Sequence, residues 1–475
     1  MTDRLPLWTP DEAARATGGR ADGCWSASGV SIDSRTVQPG DLFVALRGPN
    51  HDGHDHVSAA LDAGAAAAVV ERAPDGADPA RLVVVDDTFE ALKALGRFAR
   101  DRAADARVIG VTGSVGKTGT KEMLALALGA LGPTHATQGN LNNHWGVPLT
   151  LARMPADTRF AVIEMGMNHA GEIAPLTRLA RPHVAFITAI APAHIEYFGT
   201  EDAIADAKAE ILDGLDPDGV AILPRDSRHF HRLRRAAAAV GVSRIVGFGA
   251  HAEAEARLLD LALDPGATHV FIIADGAPLG YRLGVEGRHW ALNSLAVIAA
   301  VQAVGGEPTR TLAALGRIAA PKGRGQRGDI AMSGGRLHLI DESYNASPAS
   351  VKAAIATLAL ARPDGDGRRV AVLGDMLELG AHASALHADL ATTLMEHGID
   401  RVFTAGPLMA HLHDGLPARL RGDHADTAEA LAGMVVDAAR PGDVVMVKGS
   451  LGSRMNTVVR ALLALKDQDV EGTAA

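Results

Sequence analysis

The chain has 475 residues, 47% apolar and 21% charged, which excludes a disordered or collagen-like polymer and suggests about three domains. A net charge of −10 with only 4% aromatics argues against a basic, base-stacking nucleic-acid surface, and the single Cys24 can form neither an internal disulfide nor a thiolate metal cluster. No apolar run approaches the roughly 18–20 residues of a membrane span, and MTDRLPLWTP lacks the basic and apolar parts of a secretory leader, so no membrane insertion and a cytoplasmic setting are expected.

Short runs rich in Val and Ile alternate with helical stretches and Gly-containing turns, the pattern of an α/β fold. A first, smaller α/β segment covers 1–104. In it Pro39-Gly40-Asp41 reads as a turn between strands, HVSAALDAGAAAAVVE as helix then strand, and FARDRAADA as a polar lead into the next segment. The second segment, 105–327, carries apolar strands at Val108–Val111, Phe160–Ile163 and His183–Ile190, whose continuous apolar character suits a parallel sheet. APKGRGQRGD marks its end. The third, 328–475, repeats the alternation in a Rossmann-like way through LHLID, VAVLGD, VFTAGP and DVVMVKGS, and closes on a helix over Ser453–Leu465.

The sharpest local signal is RVIGVTGSVGKTGTKE. An apolar strand ends at Val111, the turn Thr112–Gly116 follows, and a helix begins near Gly119. Gly113 and Gly116 let the N–H groups of the turn, including those of Ser114 and Val115, converge on an anion at a helix N-terminus. Lys117 is placed to reach the β- and γ-phosphates, and the Thr118 hydroxyl to bind Mg²⁺. The spacing is a compact G-x-x-G-K-T, not the usual G-x-x-x-x-G-K-[ST]. Gly119 lowers helix propensity by about 1 kcal/mol relative to Ala.

Two further strands end in groups suited to a metal at the same sheet edge. Glu164 follows FAVI, and His194 follows FITAIAPA. Glu164 with Thr118 is a hard-oxygen set for Mg²⁺, whereas His194 by itself reads equally as a structural or substrate contact. Lys208 is the only lysine of the helix EDAIADAKAEIL, and by itself it reads as a solvated surface cation. An ammonium cannot ligate a metal.

These residues, taken together, resemble the ATP-dependent Mur ligases of peptidoglycan synthesis. DSRTVQPGDLFVAL, DGHDHV, TGSVGKT, GNLNNHWGVPLTL, EMGMNHAGEI, PAHIEYFG, AKAEIL, GRHWALNSLAV, LIDESYNASPASV, LGDMLELG with His387, and VKGSLGSRM follow in the family's order over nearly the whole chain. LGDMLELG and DESYNASP favour the branch that adds D-alanyl-D-alanine to UDP-N-acetylmuramoyl-tripeptide. The DNPR-type motif of the sister branch, which adds the third amino acid, is not found. The resemblance implies three domains: an N-terminal UDP-sugar domain, a central P-loop ATPase-like domain and a C-terminal domain for the dipeptide. It also implies a monomer that uses ATP and two Mg²⁺ ions.

By the same resemblance, Gly113–Thr118 hold the triphosphate, Thr118 and Glu164 one Mg²⁺, and His194 the second. Lys208 matches a lysine that is carbamylated in the family, which turns a cation into an oxygen-bearing ligand. Asn293, with His289 nearby, falls in the adenine-contacting stretch, and Arg324 falls where the family meets ATP. Either Asp341 or Glu342 contacts the ribose. Ser31, Asp33, Ser34 and Arg35 fall in the uridine-gripping region. Asp375, Glu378, Lys448 and Ser450 are candidates for closing on the substrates, with Asp375 and Glu378 also readable as helix caps and Arg454 a further candidate. Glu342, Ser347, Ala189 and Gly119 stand where the family commonly has Asp, Asn, Asn and Thr. The competing functions are the sister ligase, folylpolyglutamate or cyanophycin synthetase relatives, and a nucleotide-binding switch with a protein partner.

Overall fold

The computed structural model describes residues 6–264 and 266–471, so the opening MTDRL lies outside them. Three sheets follow one another along the chain. The first is wholly parallel, with β1 (Gly29–Ser31), β2 (Asp41–Val44), β3 (Ala67–Val70) and β4 (Leu82–Val84) in that spatial order. Strands β2 and β3 are buried along their whole length, as expected of a sheet covered on both faces.

The central sheet contains β5 (Arg107–Thr112), β6 (Thr134–Ala136), β7 (Phe160–Glu164), β8 (Val184–Ile187), β9 (Val220–Pro224), β10 (Arg244–Gly249), β11 (Ala256–Asp264), β12 (Ala267–Ala274) and β13 (Ala277–Leu283). Their spatial order is 13-12-11-10-9-8-5-7-6. Pairing is parallel from β6 through β11, and β11–β13 form an antiparallel meander at one edge. That meander was not anticipated. Over much of their length its strands alternate buried with more exposed positions, because just one face is covered.

The third sheet has β14 (Gln326–Met332), β15 (Gly335–Glu342), β16 (Arg369–Gly374), β17 (Arg401–Ala405), β18 (Arg421–Ala425) and β19 (Val444–Lys448), ordered 14-15-19-16-17-18. Only β14 runs antiparallel. The expected α/β class with a parallel central sheet and a doubly wound third unit is what the chain adopts, with antiparallel edges added.

Several local expectations need correction. The polar lead FARDRAADA is mostly helical: its first five residues complete the helix Thr88–Arg102, where Ala99 and Arg100 are buried. The strand expected at His183–Ile190 spans only Val184–Ile187, since Thr188–Ile190 turn away to meet the glycine turn. The helix expected near Gly119 begins at Lys117, directly after Gly116 in the left-handed region (φ 85°). The last helix runs Asn456–Glu471, and Leu451–Ser453 form a separate 3-10 turn before it. Among the described residues no helix is long and apolar enough to cross a membrane.

Candidate active site

The ends of β5, β7 and β8 open into one cavity of about 960 Å³ between the second and third sheets. Its central-sheet wall includes Ser114–Gly119, Asn142, Glu164, His194, His289 and Asn293. The facing wall includes Arg324, Glu342, Ser347, Glu378, Lys448 and Ser450.

The turn after β5 is held by its own polar groups. Ser114 N–H donates to Ala189 O at 2.8 Å, the Ser114 hydroxyl donates to Ala191 O at 2.9 Å, and the Thr188 hydroxyl donates to Val115 O. A side chain at Gly113 would meet Thr188 Oγ1 at 1.9 Å, and one at Gly116 would meet Asn293 Nδ2 at 2.7 Å. Both positions also have positive φ, so glycine is required twice over. Lys117 Nζ donates to Gly113 O at 2.7 Å, folding the side chain back over the turn. Burial pulls this amine below the usual lysine range, Glu164 opposes the shift and Arg324 adds to it.

Glu164 is the last residue of β7 and is 1% exposed. Its Oε1 accepts from Asn142 Nδ2 at 2.8 Å and lies 3.5 Å from Thr118 Oγ1. Its Oε2 is buried with no partner. A buried, unpaired carboxylate oxygen beside a threonine hydroxyl at a phosphate turn is a donor set that fits a hard divalent cation.

His194 has φ 59° and precedes the short helix Ile195–Phe198. Its Nδ1 makes an ion-pair contact with Glu378 Oε2, out of line for a directed hydrogen bond, and this buried nitrogen has no hydrogen-bond partner. Burial lowers its pKa, Glu378 raises it, and the cations Lys117 and Lys208 lower it further. Lys208 lies on the helix Glu201–Ala209 and is 1% exposed, so the solvated-surface alternative is overturned. Burial, then the nearby Lys117 ammonium, hold its amine well below the usual lysine range, against Glu210 and Glu172. No hydrogen bond or ion pair to Nζ is found among the described residues, and Lys208 does not itself line the cavity.

On the facing wall, the two candidate carboxylates at 341 and 342 separate. Glu342 lines the cavity and pairs with Lys448 at 3.2 Å, whereas Asp341 turns away to accept from Ser343 N and Oγ at 3.0 and 2.6 Å. The Arg324 guanidinium stacks 4.3 Å from the Tyr344 ring centroid. Ser450 lines the cavity while its Oγ accepts from Leu377 N at 3.0 Å.

Asp375 does not line the cavity. Its carboxylate accepts from Leu408 and Met409 N–H at 3.4 and 2.8 Å, in the turn before the helix Ala410–Gly415, whose first amides take no side-chain cap. Burial raises its pKa against those two amides. Ser31, Asp33, Ser34 and Arg35 also lie outside this lining, at the end of β1, with Arg35 paired to Asp33 at 2.7 Å. Arg454 pairs at 3.8 Å with Glu429 and points to solvent.

Two residues that hold Glu164 escaped the sequence reading: Asn142, described above, and Lys121. Lys121 is 1% exposed, pairs with Glu122 and donates to Thr137 O at 2.9 Å, and the Thr137 hydroxyl accepts the Glu164 N–H at 3.0 Å. The available signal was Lys121 itself, one turn after Lys117 on the same helix face in a chain with eight lysines.

Three stretches match family models: 26–102 the Mur ligase family catalytic domain, 111–301 the Mur ligase middle domain, and 323–451 the Mur ligase glutamate ligase domain. The UDP-N-acetylmuramoyl-tripeptide–D-alanyl-D-alanine ligase of Bacillus subtilis is 36% identical over 440 residues, covering 92% of this chain and 93% of its own. MurF from Acinetobacter baumannii superposes with a TM-score of 0.83 at 32% identity, covering 97% of this chain and all of that one. MurF from Thermotoga maritima in complex with ADP gives a TM-score of 0.76 at 27% identity, covering 93% and 98%. The matched family models and the matched length of the relatives agree: the chain belongs to the Mur ligase family and is an ATP-dependent amide-bond ligase.

Proposed function

We propose that this ligase joins D-alanyl-D-alanine to UDP-N-acetylmuramoyl-tripeptide, with conversion of ATP to ADP and phosphate. The observation that carries the reading is the single cavity in which the phosphate turn and Glu164 face Glu342, Lys448 and Ser450 of the third sheet. The names of the full-length relatives support the substrates, and the ADP-bound neighbour supports the nucleotide.

A carboxylate is a poor electrophile, so the tripeptide's terminal carboxylate must first take the γ-phosphoryl group. The amine of the dipeptide then attacks the acyl phosphate, and phosphate leaves as the amide forms. Two anions have to approach each other for this. The N–H groups of the turn other than that of Ser114, which the structure gives to Ala189 O instead of leaving it for an anion, and the Lys117 ammonium lower their repulsion. Thr118 and Glu164 would hold one Mg²⁺, and His194 and Lys208 a second. These ions would supply charge neutralisation along the transferring phosphoryl group. For Lys208 to serve, its buried amine has to be neutral and add CO₂, losing a proton to become a carbamate. Its depressed pKa favours the neutral form that reacts.

The division of labour follows the three sheets. Residues 1–104 would grip the UDP-sugar through Ser31, Asp33, Ser34 and Arg35, and residues 105–327 would hold ATP and metal. Residues 328–475 would hold the dipeptide through Lys448, Ser450 and Glu378. Asn293 and Arg324 would contact ATP, and Glu342, not Asp341, would face its ribose. The working species would be a cytoplasmic monomer. The deciding assay is phosphate release by the pure enzyme with ATP and Mg²⁺. Release is expected only when UDP-muramoyl tripeptide and D-alanyl-D-alanine are both present. Equal release with UDP-muramoyl dipeptide and one diamino acid would assign the sister activity instead.

A further inference from the structure

Five carboxylates line the cavity, and four have standing partners. Glu164 takes Asn142, Glu201 takes Arg228 at 2.8 Å, Glu342 takes Lys448, and Asp226 accepts the amides of Ala250 and His251 at 2.8 and 2.7 Å. The fifth, Glu378, has one charged neighbour: the imidazole of His194, which comes from the other sheet.

Both residues are held in a costly backbone conformation at the point of contact. Glu378 has φ 63° and His194 φ 59°, the left-handed region that side chains other than glycine rarely adopt. The Glu378 loop is built to keep it there. The amides before it donate to His387 Nε2 at 2.9 Å and to Ser450 Oγ at 3.0 Å, and its own carbonyl accepts from Glu196 N at 3.3 Å. Gly380, at φ 52°, lets the chain pass against Glu196, where a Cβ would come within 3.2 Å. A carboxylate and an imidazole, each on a backbone in the left-handed region, thus meet across the boundary between two units, with the Glu378 loop held in place.

A ligating histidine presents one nitrogen to the metal, and the partner of the other nitrogen sets its tautomer and orientation. We propose that Glu378 is the positioning residue for His194. By setting its negative charge against Nδ1, without a directed hydrogen bond, it favours the proton on that nitrogen and leaves the Nε2 lone pair for a divalent cation, so the second ion site would be complete only while the third unit sits against the second. This rests on His194 being a metal ligand, as read above.

The test uses Mn²⁺ as a spectroscopic probe of the full-length enzyme with a non-hydrolysable ATP analogue. Bound metal is counted by paramagnetic resonance, and nucleotide affinity is measured in parallel by calorimetry. In the unaltered chain two classes of Mn²⁺ site are expected. Glu378→Ala should weaken one class by about 10–100-fold and leave the other class and the nucleotide unchanged. Glu378→Gln keeps the shape and removes the charge, and should weaken the same class; it also serves if the alanine variant does not fold. Two intact classes in Glu378→Ala, alongside loss of one class in His194→Ala, would overturn the positioning role and leave the ligand reading standing. Parallel weakening of both classes and of the nucleotide would overturn it as a general structural effect. Two intact classes in His194→Ala would overturn the ligand reading, and the role of Glu378 with it.

Discussion

Lys208 shows how little a residue's type says before its surroundings are known. In the sequence it is one amine on a short polar-faced helix. In the fold it is enclosed, beside Lys117 and without a counter-charge in contact. A buried ammonium in that position is costly, and neutralisation relieves the cost. Lys208→Ala is expected to lower turnover at least about 100-fold, the order lost with a group that places charge in a transition state. A short carboxylate such as acetate in the buffer should restore part of it. Full activity in Lys208→Ala, or the absence of a carbamate signal from ¹³C-bicarbonate in the spectrum of the native active enzyme, would remove the carbamate from the scheme. Glu164 makes the same point differently. Its type and strand-end place were readable, whereas its orphaned Oε2 depends on Asn142 and Thr118 arriving from distant segments.

The helix Lys117–Gly129 carries a reversal of a propensity argument. On propensity, Gly119→Ala would stabilise by about 1 kcal/mol. In the fold, a Cβ at Gly119 would stand 2.6–2.7 Å from the Trp290 ring, and Trp290 is itself packed in the central core. Overpacking of that kind costs about 1–3 kcal/mol and outweighs the gain. Gly119→Ala should therefore lower the denaturation midpoint; a rise would show that the Trp290 ring moves aside freely. The glycine and the indole are about 170 residues apart in sequence, which is why a local rule gave the wrong sign. A separation of 73 residues likewise divides cause and effect in β8, which ends early because Thr188 is drawn to the turn after β5.

At the scale of the whole molecule, the first and second sheets are packed as neighbours without a gap. The core under β1–β4 includes Leu149 and Ala152, which lie beyond the second sheet's first strand in sequence. Trp8 Nε1 donates to Ala152 O at 2.9 Å. Arg102 donates to Leu7 O at 2.6 Å and to Met154 O at 3.1 Å, with its guanidinium 4.5 Å from the Trp8 ring centroid. Arg102→Leu would leave two carbonyls unpaired in this seam, and the expected loss is about 2–4 kcal/mol. Chemical denaturation measures it, and an unchanged midpoint would mean that the seam contributes nothing to stability. The contact between the second and third sheets has a different character. Beside the cavity it relies on single groups: Glu378 with His194, Arg327 with Glu286, and Ile195, which touches both cores. In the proposed reaction substrates would enter there, and a thin contact suits a boundary that would open to admit them.

The alternation of apolar runs and helices, the glycine turn with Lys117 and Thr118, and the strand-end place of Glu164 were determined by the sequence alone. Each depends on neighbours within a few residues: side-chain periodicity, the missing Cβ of glycine, and the start of a helix. Tertiary structure decided the rest. It enclosed Lys208, chose Glu342 over Asp341 for the cavity, turned Asp375 onto the amides of 408 and 409, and brought Glu378 to His194. Burial and pairing are set by which distant segments pack together, and no short window of sequence contains both partners.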